Sequence, residues 1–579
     1  MEQKPDFVLI HPPSVYDFRR ILLLPNPMAD LIPSGSYFDM YPIGFPLLAE
    51  YLERHGFSVK ILNFAALMLE KRKINVEKII REIKTSAFGI GLHWMVHCHG
   101  ALEMARIIKK YHPETPVIFG GYSATIFSRE LLSCPEVDYV VRGDSAEKPL
   151  RLLLDSILSG NDPSGIPNIS YKEKSGVKEA DIRENPIVWV PENLRHTGRI
   201  YPYMISTSRT SRKIREMEPF FNWWKYPITT VTTVRGCKRN CGFCGGSAYT
   251  QRKFFAREKV AFRNPQAIAE DVADISRFTG APIFVIGDIR EGGEKYAEDV
   301  ISLIERIKPR NQIVLELFEP ASYEFLEMVA KSIPNVNYQI SPESHDEQVR
   351  IACGKNYPND EMIKTIQNAI KLGCGRFDIF FMIGLPKQTR ASVLESISFA
   401  GELAKNFAPG LVPFIGPLAP FLDPGCLFYE HPEKFGYKKF ASTLEEFTKS
   451  LLNPHWRDIL TYETRWMKRE EIVNATYDSL FELNRIKGEF GIIPGDRSRK
   501  IDKLLRENVE MIEYLDKISG MKEGVEKEER LSILRKEAKR LEKESAILKD
   551  ELAWPVEGKR YRFSGIMRMA FGRRNGTNK

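Results

Sequence analysis

Cysteine is scarce in this chain, with eight residues in 579, which excludes a disulfide-stapled fold. No run of 18 apolar residues occurs, so no stretch reads as a membrane-spanning helix. The opening "MEQKPDFVLIHP" offers a four-residue apolar run, too short for the hydrophobic region of a signal peptide. A cytoplasmic protein is therefore expected. An excess of either charge sign is lacking too. The formal balance is only +8, and much of it falls in the last residues, "KRYRFSGIMRMAFGRRNGTNK", so no nucleic-acid partner is expected.

What is present is a repeated alternation of short β-rich runs and amphipathic helical stretches. Over residues 1–160 the candidate strands are "FVLIH" (7–11), "SVKILNF" (58–64), "AFGIGLH" (87–93), "PVIFGG" (116–121) and "VDYVVRG" (137–143). Helical periodicity fills the intervals, which predicts a doubly wound parallel α/β domain. In such sheets ligands bind beyond the carboxyl ends of the strands, where "HPP", "GLHW", "GGYSAT" and "RGDSAE" fall. Residues 161–226 lose this pattern and read as a connector with one or two short strands.

A second alternation begins at Pro227, with strands near 228–234, 282–288, 312–318, 336–341, 376–384 and 410–417. Six βα units over 227–430 suit an open, partial barrel. Helical patterns dominate 431–520. In the charged segment 521–579, Leu531, Leu534, Ala538, Leu541, Ser545, Leu548 and Leu552 step by three and four. That stripe fits either a helix lying on its own domain or a homodimer seam over 531–552. The basic, apolar-interleaved end suits either a flexible tail or peripheral contact with an anionic membrane.

Three cysteines cluster as C-x3-C-x2-C in "VRGCKRNCGFCGGS": Cys237, Cys241 and Cys244, with Phe243 before the last. Structural zinc and ferredoxin-type clusters ask for four ligands. Three thiolates just after the first barrel strand suit a 4Fe-4S cluster with one iron left open. The segment resembles the signature of the radical S-adenosylmethionine (radical SAM) superfamily. The resemblance implies that the open iron binds the amino and carboxylate groups of S-adenosylmethionine, whose reductive cleavage yields a 5′-deoxyadenosyl radical that attacks an unactivated C–H bond. The electron would come from a donor such as ferredoxin or flavodoxin.

Further positions follow from the same resemblance. Gly287 and Asp288 stand where the family holds the methionine amino group through its backbone, although "GDI" departs from the usual Gly-Gly-Glu. Glu343 and Ser344 in "SPESHDE" are expected at the ribose hydroxyls. Gly384, Leu385 and Pro386 in "FMIGLPKQT" are expected to line the adenosyl side.

The N-terminal domain resembles the cobalamin-binding domain of one subclass of these enzymes, through "YPIGFPLLAEYLERHGFSVKILNF", "VIFGGYSATIF" and "DYVVRGDSAEKPL". His93, Gly120, Gly121, Ser123, Gly143 and Asp144 are the implied cobalamin contacts, with the nucleotide tail beside Gly120 and Gly121. His97 and His99 share the segment "GLHWMVHCHG" with His93. The D-x-H-x-x-G motif, whose His replaces the cofactor's own base beneath cobalt, is absent. The implied activity is cobalamin-dependent methyl transfer. Cobalamin-independent radical cyclisation, coupling or rearrangement, with a lipid among the substrate classes, is the alternative. A non-enzymatic iron–sulfur or zinc module is the rival from another class. tRNA methylthiolation is disfavoured because its extra N-terminal cysteine triad has no counterpart.

Overall fold

The computed structural model describes residues 4–26, 37–71, 73–173, 182–211, 214–418, 420–545 and 560–572. The first sheet contains β1 (Phe7–His11), β2 (Val59–Asn63), β3 (Ala87–Gly91), β4 (Val117–Gly120), β5 (Tyr139–Val141), β6 (Ile169–Lys172) and β7 (Ile182–Glu184), in the order β2-β1-β3-β4-β5-β6-β7. The first five are parallel, and every residue of β1 and β3 is buried, as strands covered on both faces must be. The segment expected as a connector supplies the antiparallel edge strands β6 and β7 and the helix Ile200–Ser211. Because β1 connects outward to β2 while β3 leads the other way to β4, the topological switch point lies between β1 and β3.

The second sheet contains β8 (Thr229–Thr232), β9 (Ile283–Ile286), β10 (Ile313–Leu317), β11 (Val336–Glu343), β12 (Phe377–Ile383) and β13 (Leu411–Pro417), all parallel and in chain order. Among the described residues β13 and β8 do not pair, so the barrel stays open.

The helix Arg469–Glu489 packs on Arg390–Phe407 and on β13. Beyond it, the helices Gly495–Ser519 and Val525–Ser545 lie against each other. Leu534, Ala538 and Leu541 are buried there among Leu504, Met511, Leu515 and Ile518, joined by Leu24 from the N-terminal region. The described part of the leucine stripe is thus covered within the chain, the first of its two expected readings. Leu548 and Leu552 lie outside the described residues. Part of the basic end is a helix, Phe563–Gly572, packed on the helices Pro265–Phe278 and Ile200–Ser211. Arg560 O accepts from Thr279 Oγ1 (2.7 Å) and Tyr561 OH donates to Trp224 O (2.8 Å), fastening that segment to the barrel. Among the described residues, no helix is long and apolar enough to cross a membrane.

Candidate functional site

β8 ends in a loop that carries the three cysteines and closes at the helix Ala248–Phe255, capped by the Ser247 side chain. Neighbouring segments hold this loop by its backbone. Gly242 N donates to Cys353 O (3.0 Å) and Phe428 N donates to Gly242 O (2.9 Å). Gly354, at φ +90°, brings its backbone so near that a Cβ would stand 2.8 Å from Asn240 O. Cys237 Sγ accepts the Arg239 N–H and Cys244 Sγ the Gly246 N–H, both at 3.3 Å. Burial raises all three thiol pKa values, that of Cys244 to about 12. Negative charge on Cys241 adds to the rise at each of the other two. Three thiols on one loop that resist ionisation alone, with N–H donors aimed at two sulfurs, fit an iron cluster whose positive charge draws off the protons. Among the described residues no three His, Cys, Asp or Glu side chains are arranged around a single ion. Thiolates that each bind a different iron have no need to converge on one point.

At the carboxyl end of β11 the register shifts between Ile340 and Glu343, and Glu343 adopts φ +70°. Its carboxylate is 2% exposed; Oε1 takes Lys355 Nζ at 2.5 Å and Oε2 has no partner. Lys355 also donates to Ser341 O and lies 6.0 Å from the Phe243 ring centre. Burial raises the Glu343 pKa and Lys355 opposes it. An orphaned, buried acceptor beside the cysteine loop fits a hydroxyl-bearing ligand such as the ribose of S-adenosylmethionine.

The other expected contacts divide. Gly287, at φ +94°, donates its N–H to Glu316 Oε2 (2.7 Å), a carboxylate whose pKa burial raises. Asp288 spends both carboxylate oxygens, Oδ1 on Arg290 N (3.0 Å) and Oδ2 on Phe318 N (2.9 Å) and Arg290 Nη2 (2.6 Å), so only its backbone is available to a ligand. Ser344 is fully buried and its hydroxyl accepts the Asp346 N–H (3.1 Å). The turn at Gly384, Leu385 and Pro386 is buried and held by its own neighbours. Gln388 Oε1 accepts both Gly384 N (2.9 Å) and Leu385 N (3.2 Å), Tyr437 OH donates to Gly384 O (2.9 Å), and a Cβ on Gly384 would stand 2.5 Å from the Tyr462 hydroxyl.

Beyond the first sheet's carboxyl edge lies a cavity of about 470 Å3, within the size range of cofactor sites. His93, Gly120, Gly121, Gly143 and Asp144 line it, and Thr232, Val234 and Arg235 reach it from the barrel. Ser123 does not line it; its hydroxyl donates to His93 O (3.1 Å). Gly121, at φ +117°, packs so closely that a Cβ would lie 2.7 Å from His93 Cα. At Gly120 the space is open, the nearest atom to a Cβ being 3.8 Å away. An apolar floor and side-chain-free backbone at two strand ends fit a large planar cofactor.

The domains are joined at this edge by buried ion pairs that sequence spacing could not reveal. Asp144 Oδ1 takes Arg257 Nη2 (3.1 Å), and Glu147 takes Arg235 through both oxygens (2.6 and 3.1 Å). Burial alone would raise the Glu147 pKa, but the Arg235 guanidinium outweighs it and holds the carboxyl well below its usual range. Arg235 stands two residues before Cys237. Tyr122 accepts from Gln251 Nε2 (3.2 Å) and packs between His93 and Phe255.

Residues 34–153 match the B12 binding domain model and residues 231–400 the radical SAM superfamily model. An uncharacterised methyltransferase of Pyrococcus horikoshii is 26% identical over 67% of this chain and 79% of its own length. The hopanoid C-3 methylase of Methylococcus capsulatus is 23% identical over 49% of this chain and 50% of its own. In fold, the chain is similar to the methyltransferase TsrM from Kitasatospora setae, solved with cobalamin and a [4Fe-4S] cluster (TM-score 0.58, 13% identity, 94% of this chain and 100% of that one). It is also similar to OxsB, solved with aqua-cobalamin and S-adenosylmethionine (TM-score 0.53, 13% identity, 98% and 84%). With a B12-binding domain ahead of its barrel and a triad of cysteines in the loop after the first barrel strand, the chain belongs to the group of the radical SAM superfamily that carries a B12-binding domain.

Proposed function

We propose that the protein methylates an unactivated carbon of its substrate. The observation that carries this reading is the shared cavity: its walls come from the first sheet (Gly120, Gly121, Asp144) and from the barrel (Thr232, Arg235), and Arg235 leads directly into the cysteine loop. Two cofactor sites built this close suit hydrogen abstraction on one side and methyl delivery on the other. Cys237, Cys241 and Cys244 would hold the cluster, Glu343 Oε2 a ribose hydroxyl, and Gly120 with Gly121 the cobalamin tail. Bound cobalamin supplies a nucleophilic metal that can accept and pass on a methyl group. The chain's own groups orient these cofactors, and the Asp144–Arg257 and Glu147–Arg235 pairs keep the two sites in register. The electron is expected from a low-potential donor of the ferredoxin or flavodoxin kind.

The test is anaerobic reconstitution with iron, sulfide and cobalamin, followed by reduction in the presence of S-adenosylmethionine. Expected are about four iron and one cobalamin per chain, with S-adenosylhomocysteine and 5′-deoxyadenosine both formed. Deoxyadenosine alone, from protein that takes up no cobalamin, would replace this reading with a radical cyclisation or rearrangement.

A further inference from the structure

Three imidazoles meet at the switch point of the first sheet, and their surroundings separate them. His11 ends β1; its Nε2 bonds the Phe38 carbonyl at 3.2 Å. His97 packs its ring 4.6 Å from that of His11, is 2% exposed and makes no hydrogen bond of good geometry at either nitrogen. His93, at the end of β3, lines the cavity with its ring against Trp94 and Tyr122, and no group among the described residues pairs with its nitrogens.

Several other polar groups on the cavity wall are already engaged. Asp144 is bound to Arg257, Glu147 to Arg235, and Arg263 to Asp271. Thr197 donates its hydroxyl to Leu194 O (2.6 Å) and Tyr41 its own to Met217 O (2.9 Å). The Trp94 indole is a donor only. His93, partly exposed and with no partner at either nitrogen among the described residues, is therefore the imidazole best placed to offer a lone pair to the cavity, at the place in the topology where such sheets bind their ligands. Burial lowers its pKa to about 4, so the ring is neutral at physiological pH and its lone pair is free.

We propose that His93 is a direct ligand of cobalt, occupying the axial position vacated by the cofactor's own base, in a chain that lacks the D-x-H-x-x-G motif. The inference rests on cobalamin binding at this cavity. One imidazole nitrogen forms a dative bond to cobalt and the dimethylbenzimidazole nitrogen leaves it, with no change in oxidation state or proton count. His11 and His97 also line the cavity, but His11 Nε2 is held by Phe38 O and both His97 nitrogens are buried away from its space.

The test is the electron paramagnetic resonance spectrum of the cob(II)alamin-loaded, full-length protein. Expected is a threefold nitrogen splitting of the cobalt lines that becomes twofold when the protein, but not the cofactor, carries 15N-histidine. His93→Gln is expected to retain cobalamin with at least a severalfold weaker Kd and to lose that splitting, whereas His97→Gln keeps it. A spectrum without nitrogen splitting, or a threefold splitting insensitive to 15N-histidine, overturns the assignment and leaves the cobalamin reading intact. Failure to take up cobalamin at all overturns both. Because the isotope experiment uses the unaltered chain, a variant that does not fold leaves it decisive.

Discussion

Replacing Cys241 by alanine removes the middle thiol of the cluster triad, and we expect iron content and S-adenosylmethionine cleavage to fall together to background. Inductively coupled plasma and nucleoside analysis would show this, and full retention of both would refute the assignment. A second residue-scale prediction concerns pH. Glu218 is 7% exposed, and burial raises its pKa to about 7 from 4.5. The folded state therefore binds this proton more tightly than the unfolded one. Its stabilisation is present below pH 4.5 and lost as pH rises through about 7, a swing of about 3 kcal/mol. Glu218→Gln should flatten urea-denaturation stability between pH 5 and 8 and raise it at the upper end. At this scale the cysteines are legible in sequence because their ligands are local. Glu343 stands out in sequence only through the resemblance of "SPESHDE" to the family's segment. Lys355, Glu316, Arg235 and Arg257 are not, since each acts through a partner brought near only by folding. Ser344 and Gly384 follow the family pattern in letters, and what their letters do not tell is that the Ser344 hydroxyl caps Asp346 N and the Gly384 carbonyl takes the Tyr437 hydroxyl.

Elements were easier to read than contacts, because hydrophobic period is a property of the segment itself. All eleven expected strands of the two parallel sheets form within a few residues of their predicted spans. The antiparallel strands β6 and β7 are short and polar and give little periodic signal, which is why 161–226 read as a connector. The leucine stripe shows the complementary ambiguity: its spacing defines a buried face but not what buries it. Leu534→Ala should cost about 2–5 kcal/mol in denaturant unfolding, the usual cost of truncating a buried leucine, and a change below 1 kcal/mol would mean that the face is not packed as described. The β4 end makes a sharper demand. Gly121 combines φ +117° with a contact that leaves no room for a Cβ. Gly121→Ala should therefore lower stability by about 3 kcal/mol or more and weaken cobalamin uptake, both measurable on the purified protein.

For the molecule as a whole, the buried pairs across the domain edge decide how independently its halves can move. Asp144→Asn leaves Arg257, 3% exposed, with an uncompensated charge. The expected cost is about 3–5 kcal/mol, accompanied by faster limited proteolysis near residues 185–200. Unchanged proteolysis would show that the interface does not depend on the pair. The C-terminal segment adds a constraint of another kind. Thr279, at the end of a helix in the first barrel unit, closes on Arg560, 281 residues later. During synthesis that side of the barrel emerges from the ribosome long before its cover does. The outer faces of Ile200–Ser211 and Pro265–Phe278 must wait, uncovered, while the rest of the barrel and the helical region are still being translated. Truncating the chain before residue 560 would make that waiting state permanent.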